Sequence, residues 1–377
     1  HVIRIKSKPL VLDFSMTKIK DIEKKLIKSI TEFKLNYHKY FSKNKKFNKS
    51  AKMLDSYPRL IVIKGLGIFS TGASLKDAKI AMDVGINSLS VILNAAKYGT
   101  FTSIPPNEIF RMEYWPLELA KLKSTTTRLT GSVTVITGGL GSIGYAAAKK
   151  FKKEGSEIVI IDILDPNKIS QDLDGITYFK CDITKEQDVK KTYELIVKKF
   201  GGVDILISNA GFAIQASLQE LSKSQLDKSF DLNLFAHHYF VKHGVKIMKK
   251  QNTKGSVLFN ISKQAVNPGN DFGAYGLTKS SLMFLMKQYA LEHSKDGIRF
   301  NGVNADRIRS GLLTPQMIAK RAKSRGVTIE KYMSGNLLNL EVRASDVADA
   351  FYHLAISLKT TAGIITVDGG NIEASLR

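Results

Sequence analysis

Tyr275 and Lys279 stand four residues apart in Tyr275-Gly276-Leu277-Thr278-Lys279, and Ser262 lies thirteen residues before the tyrosine. On a helix, positions i and i+4 share a face one turn apart, so phenol and ammonium are held side by side. A phenol has an ordinary pKa of about 10 and ionises near neutrality only beside positive charge. Tyrosine, neighbouring lysine and a serine hydroxyl therefore form a set able to move a proton to or from an oxygen. Taken alone, Tyr275 reads equally well as a core tyrosine, and only the other two in register turn the reading toward chemistry.

A second constellation is Thr137-Gly138-Gly139-Leu140-Gly141-Ser142-Ile143-Gly144, where Gly139, Gly141 and Gly144 spell G-x-G-x-x-G between a strand-like run and an alanine-rich helix. An ordinary glycine turn is the bland alternative, but this context is the one a dinucleotide needs. Glycines allow the tight turn and clear the helix N-terminus, whose free N–H groups and dipole favour a pyrophosphate. Eighteen residues past Gly144, at the end of the second strand, Asp162 can accept both ribose hydroxyls and repels a 2′-phosphate. With no lysine or arginine in the glycine loop and Ile163 following, NAD is expected rather than NADP. The bland reading of Asp162 is a solvated carboxylate at a strand end.

Strand-like runs at 133–137, 157–161, 176–180, 203–208, 256–261, 298–303 and 363–367 alternate with helix-length amphipathic segments. Such βαβ repetition predicts a doubly wound parallel sheet covered on both faces. Before it, residues 18–49 read as an amphipathic lysine-rich helix and a polar loop, and Arg59 to Phe69 as a strand-like run broken by glycine. Ser74 is expected to cap a helix running to about Ala96, its buried side supplied by Ala78, Ile80, Ala81, Val84, Ile86, Leu89, Ile92 and Leu93. A last helix is expected from Trp115 to Leu122, and the polar stretch from Ser124 to Thr127 marks the boundary.

With Asn209-Ala210-Gly211 after the fourth strand and Asn233 in the following helix, residues 130–377 resemble the short-chain dehydrogenase/reductase family. The resemblance implies a Rossmann-type sheet and an NAD-dependent oxidoreductase. It makes Tyr275 the general base in oxidation and the acid in reduction, helped by Lys279 and a positively charged nicotinamide. It gives Ser262 the task of hydrogen-bonding the substrate oxygen, and Asn233 that of interrupting its helix to hold a water between Lys279 and bulk solvent. Asp182 matches the adenine contact, with Ile183 beside it among the cofactor-binding residues. Asn209 helps fix the central strand, and Ala210 and Gly211 border the cofactor.

Two departures stand out. The family's middle glycine is Ser142 here, and neighbouring Gly141 is expected to restore a usable turn. Asn304-Ala305-Asp306-Arg307-Ile308-Arg309-Ser310 replaces the usual N-P-G followed by threonine. Ser310, in the threonine position, is expected to bond the nicotinamide carboxamide. Arg307 and Arg309 point to a carboxylate or phosphate on substrate or product, against an equal reading as surface arginines paired to Asp306.

Val2-Ile3-Arg4, Pro58-Arg59 leading into GLGIF, the helix after Ser74, Glu113-Tyr114-Trp115, NADRIRSGLL and VDGGNIEASLR carry a more particular resemblance. They are similar to bifunctional proteins in which a class II, zinc-dependent aldolase precedes a short-chain dehydrogenase, of the rhamnulose-phosphate aldolase/lactaldehyde dehydrogenase type. The expected division is a partial α/β aldolase-like segment at 1–123 and a dehydrogenase domain at 124–377. Because the chain opens at His1 rather than methionine, it is read as a fragment carrying only the tail of the aldolase. A catalytic zinc needs three protein ligands. Residues 1–128 hold only His1 and His38, while His237, His238 and His243 have spacings that do not converge, so no metal and no aldol cleavage are expected.

Composition bounds the remaining alternatives. The net charge of +23 is concentrated, with 15 Lys/Arg against 4 Asp/Glu in the first 52 residues. Lysine outnumbers arginine 46 to 11, and arginine is the usual reader of phosphates and bases. Phe33, Tyr37, Tyr40 and Phe41 fit a buried helix side better than a base-stacking platform, so no nucleic-acid partner is expected. One cysteine, Cys181, excludes an internal disulfide framework and fits a reducing compartment, hence a cytoplasmic location. No apolar run approaches the roughly 18 residues of a membrane span. The leading expectation is NAD-dependent oxidation of a small hydroxyl or aldehyde compound from sugar breakdown by a homo-oligomer, dimer or tetramer. For lactaldehyde, the hydrated gem-diol would be the hydride donor. Polyol dehydrogenation and a non-catalytic NAD-binding scaffold are the alternatives.

Overall fold

The computed structural model describes residues 2–122, 126–166 and 170–371, which form two compact units divided between Thr126 and Thr127. The boundary expected after residue 123 lies outside the described residues, as do His1 and the end of the VDGGNIEASLR segment.

The first unit comprises α1 (Val2–Ile5), β1 (Leu10–Leu12), α2 (Ile22–Asn44), β2 (Leu60–Ile63), β3 (Gly67–Ser70), α3 (Leu75–Ala95), α4 (Pro106–Glu113) and α5 (Pro116–Ala120). β1 pairs parallel with β2, and β2 antiparallel with β3. The single run expected from Arg59 is thus a hairpin, turned by Gly65 and Gly67 at φ of 73° and 139°, where a side chain would be strained. Ser74 caps α3 as expected, its hydroxyl accepting from Asp77 N at 3.2 Å.

The buried side expected for α3 forms only in part, with Ala78, Ile80, Val84, Leu89 and Ile92 half-buried. Ala81 is buried, while Ile86 and Leu93 are 48% and 67% exposed. Length explains this: strands of three or four residues extend about 10–14 Å, whereas a helix of 21 residues extends about 30 Å. The sheet is too short to cover it. α4, not anticipated from sequence, starts on Pro106 at its first turn and brings Phe110, Glu113 and Tyr114 to α2.

There Glu113, fully buried, accepts from Tyr37 Oη at 2.7 Å and Tyr40 Oη at 3.1 Å, and Tyr37 Oη lies 2.7 Å from Tyr114 Oη. Lys6 Nζ sits 3.9 Å from the carboxylate and 3.9 Å over the Tyr37 ring. Burial raises the Glu113 carboxyl above its ordinary range and lowers Lys6 to about 8.

The second unit contains β4 (Val133–Thr137), α6 (Ser142–Lys153), β5 (Glu157–Asp162), β6 (Ile176–Lys180), α7 (Glu186–Phe200), β7 (Ile205–Ser208) and α8 (Lys223–Phe230). It continues with α9 (Ala236–Gln251), β8 (Gly255–Asn260), α10 (Gly273–His293), β9 (Ile298–Ala305), α11 (Pro315–Ser324), α12 (Ile329–Met333), α13 (Ala344–Ile356) and β10 (Ile364–Val367). A five-residue π-helix, Asp231–Phe235, joins α8 to α9.

The seven strands are all parallel, in the order β10-β9-β8-β7-β4-β5-β6. Alternate residues of each strand serve opposite faces. Val135, Val159, Leu206 and Val257 join Phe240 and Met286 in one core, and Ile136, Ile160, Ile207 and Leu258 join Ala147, Phe151 and Phe351 in the other. That double burial explains the uninterrupted apolar runs of the sequence. One expectation fails: among its described residues the link between β5 and β6 contains no α-helix. No helix among the described residues is long and apolar enough to cross a membrane.

Removing the Glu113 carboxylate leaves Lys6 and two phenols buried without their shared acceptor. Glu113→Ala is expected to destabilise the first unit by roughly 3–5 kcal/mol, measured by denaturant unfolding followed through Trp115, the single tryptophan.

Candidate active site

Strand order reverses between β4 and β7, and a parallel sheet opens its crevice at the carboxyl ends of the strands at such a point. A cleft of about 1420 Å³ lies there, lined by Gly138, Gly141, Ser142, Ile143, Asp162, Asp182, Ile183, Asn209, Ala210 and Gly211, and farther along by Ser262, Tyr275, Lys279, Arg307 and Ser310.

The glycine turn is set by Gly138, at φ 61°, where a Cβ would stand 2.8 Å from Ala210 Cα. Gly139 and Gly144 lie beneath the loop, and added Cβ atoms would stand 2.6 Å from Ile160 Cγ2 and 2.3 Å from Gly138 O respectively. Gly141, expected to compensate for the missing middle glycine, has an ordinary φ of −75° and only Gly138 O, at 3.3 Å, near its missing Cβ. Ser142 takes the glycine's place as the exposed first residue of α6, so no special torsion is required there.

These features fit a dinucleotide. The α6 N-terminus opens on the cleft, the loop's bulky side chain, Leu140, is buried and does not line it, and Asp162 stands at the end of β5. The Asp162 carboxylate is oriented by Leu140 N at 3.1 Å on Oδ2, and by Ile163 N at 2.8 Å and Leu164 N at 3.2 Å on Oδ1. Asp182 accepts from Thr184 N at 3.1 Å and Oγ1 at 2.7 Å. Among the described lining residues from Gly138 to Thr184 there is no lysine or arginine.

Ser262, just after β8, lines the cleft with Tyr275, and its hydroxyl favours the ionised phenol. Lys279 Nζ donates to Asn260 O at 2.9 Å and lies 5.6 Å from the centre of the Tyr275 ring. Burial pushes Tyr275 up to about 12, with Ser262 pulling the other way, and burial lowers Lys279 to about 7. Asn233 sits in the π-helix, fully buried. Its Oδ1 accepts from Phe212 N at 3.1 Å, and its Nδ2 donates to Phe212 O at 3.0 Å and Ser229 Oγ at 3.2 Å. A Cβ on Gly211 would meet Asn233 Oδ1 at 3.1 Å and Lys279 Nζ at 3.8 Å, which puts amide and ammonium around the same glycine.

The two arginines read as substrate groups are otherwise engaged. Arg309 is not among the residues lining the cleft and pairs with Glu341, at 2.5 Å and 3.1 Å. Arg307 borders the cleft, but its guanidinium donates to Tyr332 O at 2.9 Å and Gly335 O at 3.1 Å and lies 3.4 Å from Asp306. These bonds hold its unusual φ of 53°. The Ser310 hydroxyl donates to Ile308 O at 3.2 Å and accepts from Leu312 N and Leu313 N. His237, His238 and His243 bond to Ser208, Tyr289 and Glu186 in turn. Among the described residues no three His, Cys, Asp or Glu side chains are placed to hold a metal.

Sequence reasoning passed over three contributors. Thr137 Oγ1 receives Asn209 N at 2.9 Å and Ala210 N at 3.2 Å. Asn260 donates to Asn209 Oδ1 at 2.9 Å while its carbonyl holds Lys279. His237, one turn after Asn233, is buried with Nδ1 2.6 Å from Ser208 Oγ. Burial and the nearby Lys279 charge hold it neutral, well below the ordinary imidazole range. For Thr137 and Asn260 the available signal was a polar residue at the end of an apolar strand, where no solvated face was expected.

Residues 1–122 match the family described as "Aldolase class II, second domain", and residues 138–371 the one described as "Enoyl-(Acyl carrier protein) reductase". An uncharacterized oxidoreductase of Bacillus subtilis (strain 168), YuxG, is 32% identical over 98% of the chain, which spans 56% of that relative's length. Short chain aldehyde dehydrogenase 1 of Euphorbia lathyris is 33% identical over 65% of this chain and 90% of its own. Among solved structures, ElxO with NADP bound is 26% identical over 64% of this chain and 98% of its own, with a TM-score of 0.57.

Because a Gly144 Cβ would fall 2.3 Å from Gly138 O, Gly144→Ala must displace the turn. Overpacking of this kind costs about 1–3 kcal/mol, so dinucleotide binding is expected to weaken about ten- to a hundredfold, read by titration of NADH fluorescence.

Proposed function

As the chain belongs to the short-chain dehydrogenase/reductase family, behind an aldolase-type first unit, we propose that it uses NAD to oxidise a small hydroxyl or aldehyde compound from sugar breakdown, lactaldehyde-like in size. The observation that carries this reading is the Ser262–Tyr275–Lys279 set at the end of the cleft that the glycine turn opens.

When bound, the nicotinamide supplies the hydride acceptor. The chain's own residues manage the proton and the oxygen. Ser262 holds the substrate oxygen, and Tyr275 takes its proton as the carbon loses a hydride with its electron pair, turning alcohol into carbonyl or hydrated aldehyde into acid. Asn260 O fixes Lys279, whose ammonium favours the phenolate. Asn233 shapes the π-helix behind it. With Tyr275 pushed up to about 12, the resting phenol is protonated at pH 7, and oxidation gains from any cation brought to the site.

The preference for NAD is supported by the Asp162 carboxylate at the end of β5 and by the lack of a lysine or arginine among the described residues that line the cleft from Gly138 to Thr184. Polyol oxidation is a second reading, favoured by the amides of Gln264, Asn267 and Asn270 along the cleft. A homo-oligomer is supported by Phe284 and Leu291 on α10, 68% and 79% exposed.

An NADH-formation screen over lactaldehyde and polyols tests the reading. Tyr275→Phe should abolish NADH formation with NAD binding retained, and substantial residual turnover would remove Tyr275 from the base role. Asp162→Ala should weaken NAD and relax discrimination against NADP, read as the ratio of the two kcat/KM values; an unchanged ratio would count against the ribose assignment. Ser262→Ala removes the hydroxyl that lowers the Tyr275 pKa, so whatever oxidation survives should reach half its plateau at a higher pH than in the native protein. An unshifted profile would mean that Ser262 does not act on the phenol.

A further inference from the structure

With Arg309 outside the cleft, Arg307 held by backbone carbonyls, Lys263 paired with Asp306 and Lys279 beside Tyr275, the other lysines and arginines among the described residues of the cleft wall are Lys320 and Arg321 of α11, Arg325 at its C-terminal end, and Lys228 of α8. No ion pair to any of the four is present among the described residues, although Asp231 and Asp271 share the cleft with them. The carboxylate near Arg307, Asp306, is already occupied by Lys263 at 3.0 Å and Asn371 at 2.8 Å.

Arg321 is placed with the most definition. Its guanidinium carbon lies 4.5 Å from the centre of the Phe272 ring, and that ring meets the Tyr275 ring edge-on at 6.2 Å. Phe272 is itself buried, and Ala216 N donates to Asp271 O at 3.1 Å to pin the backbone before it. A guanidinium stacked on a fixed ring keeps its N–H edge available for a planar two-oxygen partner. Arg325 adds to the field, its guanidinium carbon 5.0 Å from the centre of the Tyr332 ring that Arg307 approaches at 5.2 Å. Positive charge without acidic partners, one ring away from the reacting phenol, is arranged to receive an anion.

Resting on the oxidoreductase reading above, we propose that Arg321, assisted by Lys320 and Arg325, is the specificity-determining residue of a substrate subsite for a terminal anionic group, phosphate or carboxylate, at the end remote from the oxidised carbon. The site thereby selects charged small hydroxyl compounds over their neutral counterparts, and α11 performs the recognition that the 307–309 segment does not.

The test uses the full chain with matched substrates: glycerol against glycerol 3-phosphate, and butane-1,4-diol against 4-hydroxybutyrate. The anionic member of at least one pair should show a kcat/KM about tenfold or more above its neutral partner, and which pair responds identifies phosphate or carboxylate. Arg321→Ala should erase that advantage through KM, leaving kcat/KM for the neutral member and the Kd of NADH unchanged, while Arg321→Lys recovers part of it. Equal use of neutral and anionic members by the native protein, or a loss in Arg321→Ala that falls equally on NADH, overturns the subsite. Calorimetric titration of inorganic phosphate and of acetate into the NADH-loaded protein provides a readout without turnover. If no compound yields NADH, the oxidoreductase reading fails and this titration alone decides: anion binding lost in Arg321→Ala supports the subsite, and no binding overturns it.

Discussion

The side chain of Asn209 ties together the carboxyl ends of three neighbouring strands, and the site depends on it. Its amide donates to Thr137 O at the end of β4 and Gly138 O just past it, while its carbonyl oxygen accepts from Asn260 on β8. The glycine turn leaves from the first of these strands, and Ser262 follows the last. Asn260 then offers its own carbonyl to Lys279, which carries the restraint onto α10 and so to Tyr275. Buried amide groups left unpaired would cost about 1–3 kcal/mol each, so the network is held in one arrangement, and its geometry is transmitted to every group that can move a proton.

Burial drives the chemistry of this centre as strongly as charge does. Taking the ammonium of Lys279 out of water lowers its pKa to about 7, and the same desolvation pushes the Tyr275 phenol up to about 12. Neither group alone is comfortable as an ion, and each ion is what the other lacks. His237 stays neutral beside them because burial and the lysine charge both oppose its protonation. A neutral imidazole fixed by Ser208 adds packing and polarity one turn from Asn233 without adding a competing cation.

The first unit solves a similar problem for structure alone. A three-stranded sheet of short strands cannot cover long helices, and the unit instead gathers Lys6, Tyr37, Tyr40 and Tyr114 around Glu113. That polar core shows why only part of the lysine surplus is solvated surface, since Lys6 is 5% exposed and lies against an aromatic ring.

Local pattern is enough to specify the strand ladder, the glycine turn, Asp162 at the second strand end and the Ser262, Tyr275 and Lys279 triplet. Each is written in local periodicity or fixed spacing, which helices and strands convert directly into position. Only the tertiary structure decided which cations face the cleft. Arg307 and Arg309 are adjacent to the site in sequence, but carbonyls near Tyr332 and the Glu341 carboxylate claim them, whereas Arg321 reaches it from α11 by stacking on Phe272. It also decided that Gly138, not Gly141, makes the turn, and that half of α3 stays uncovered. Charge pairing, torsion and coverage depend on partners distant in the chain, and no spacing rule encodes which partner arrives.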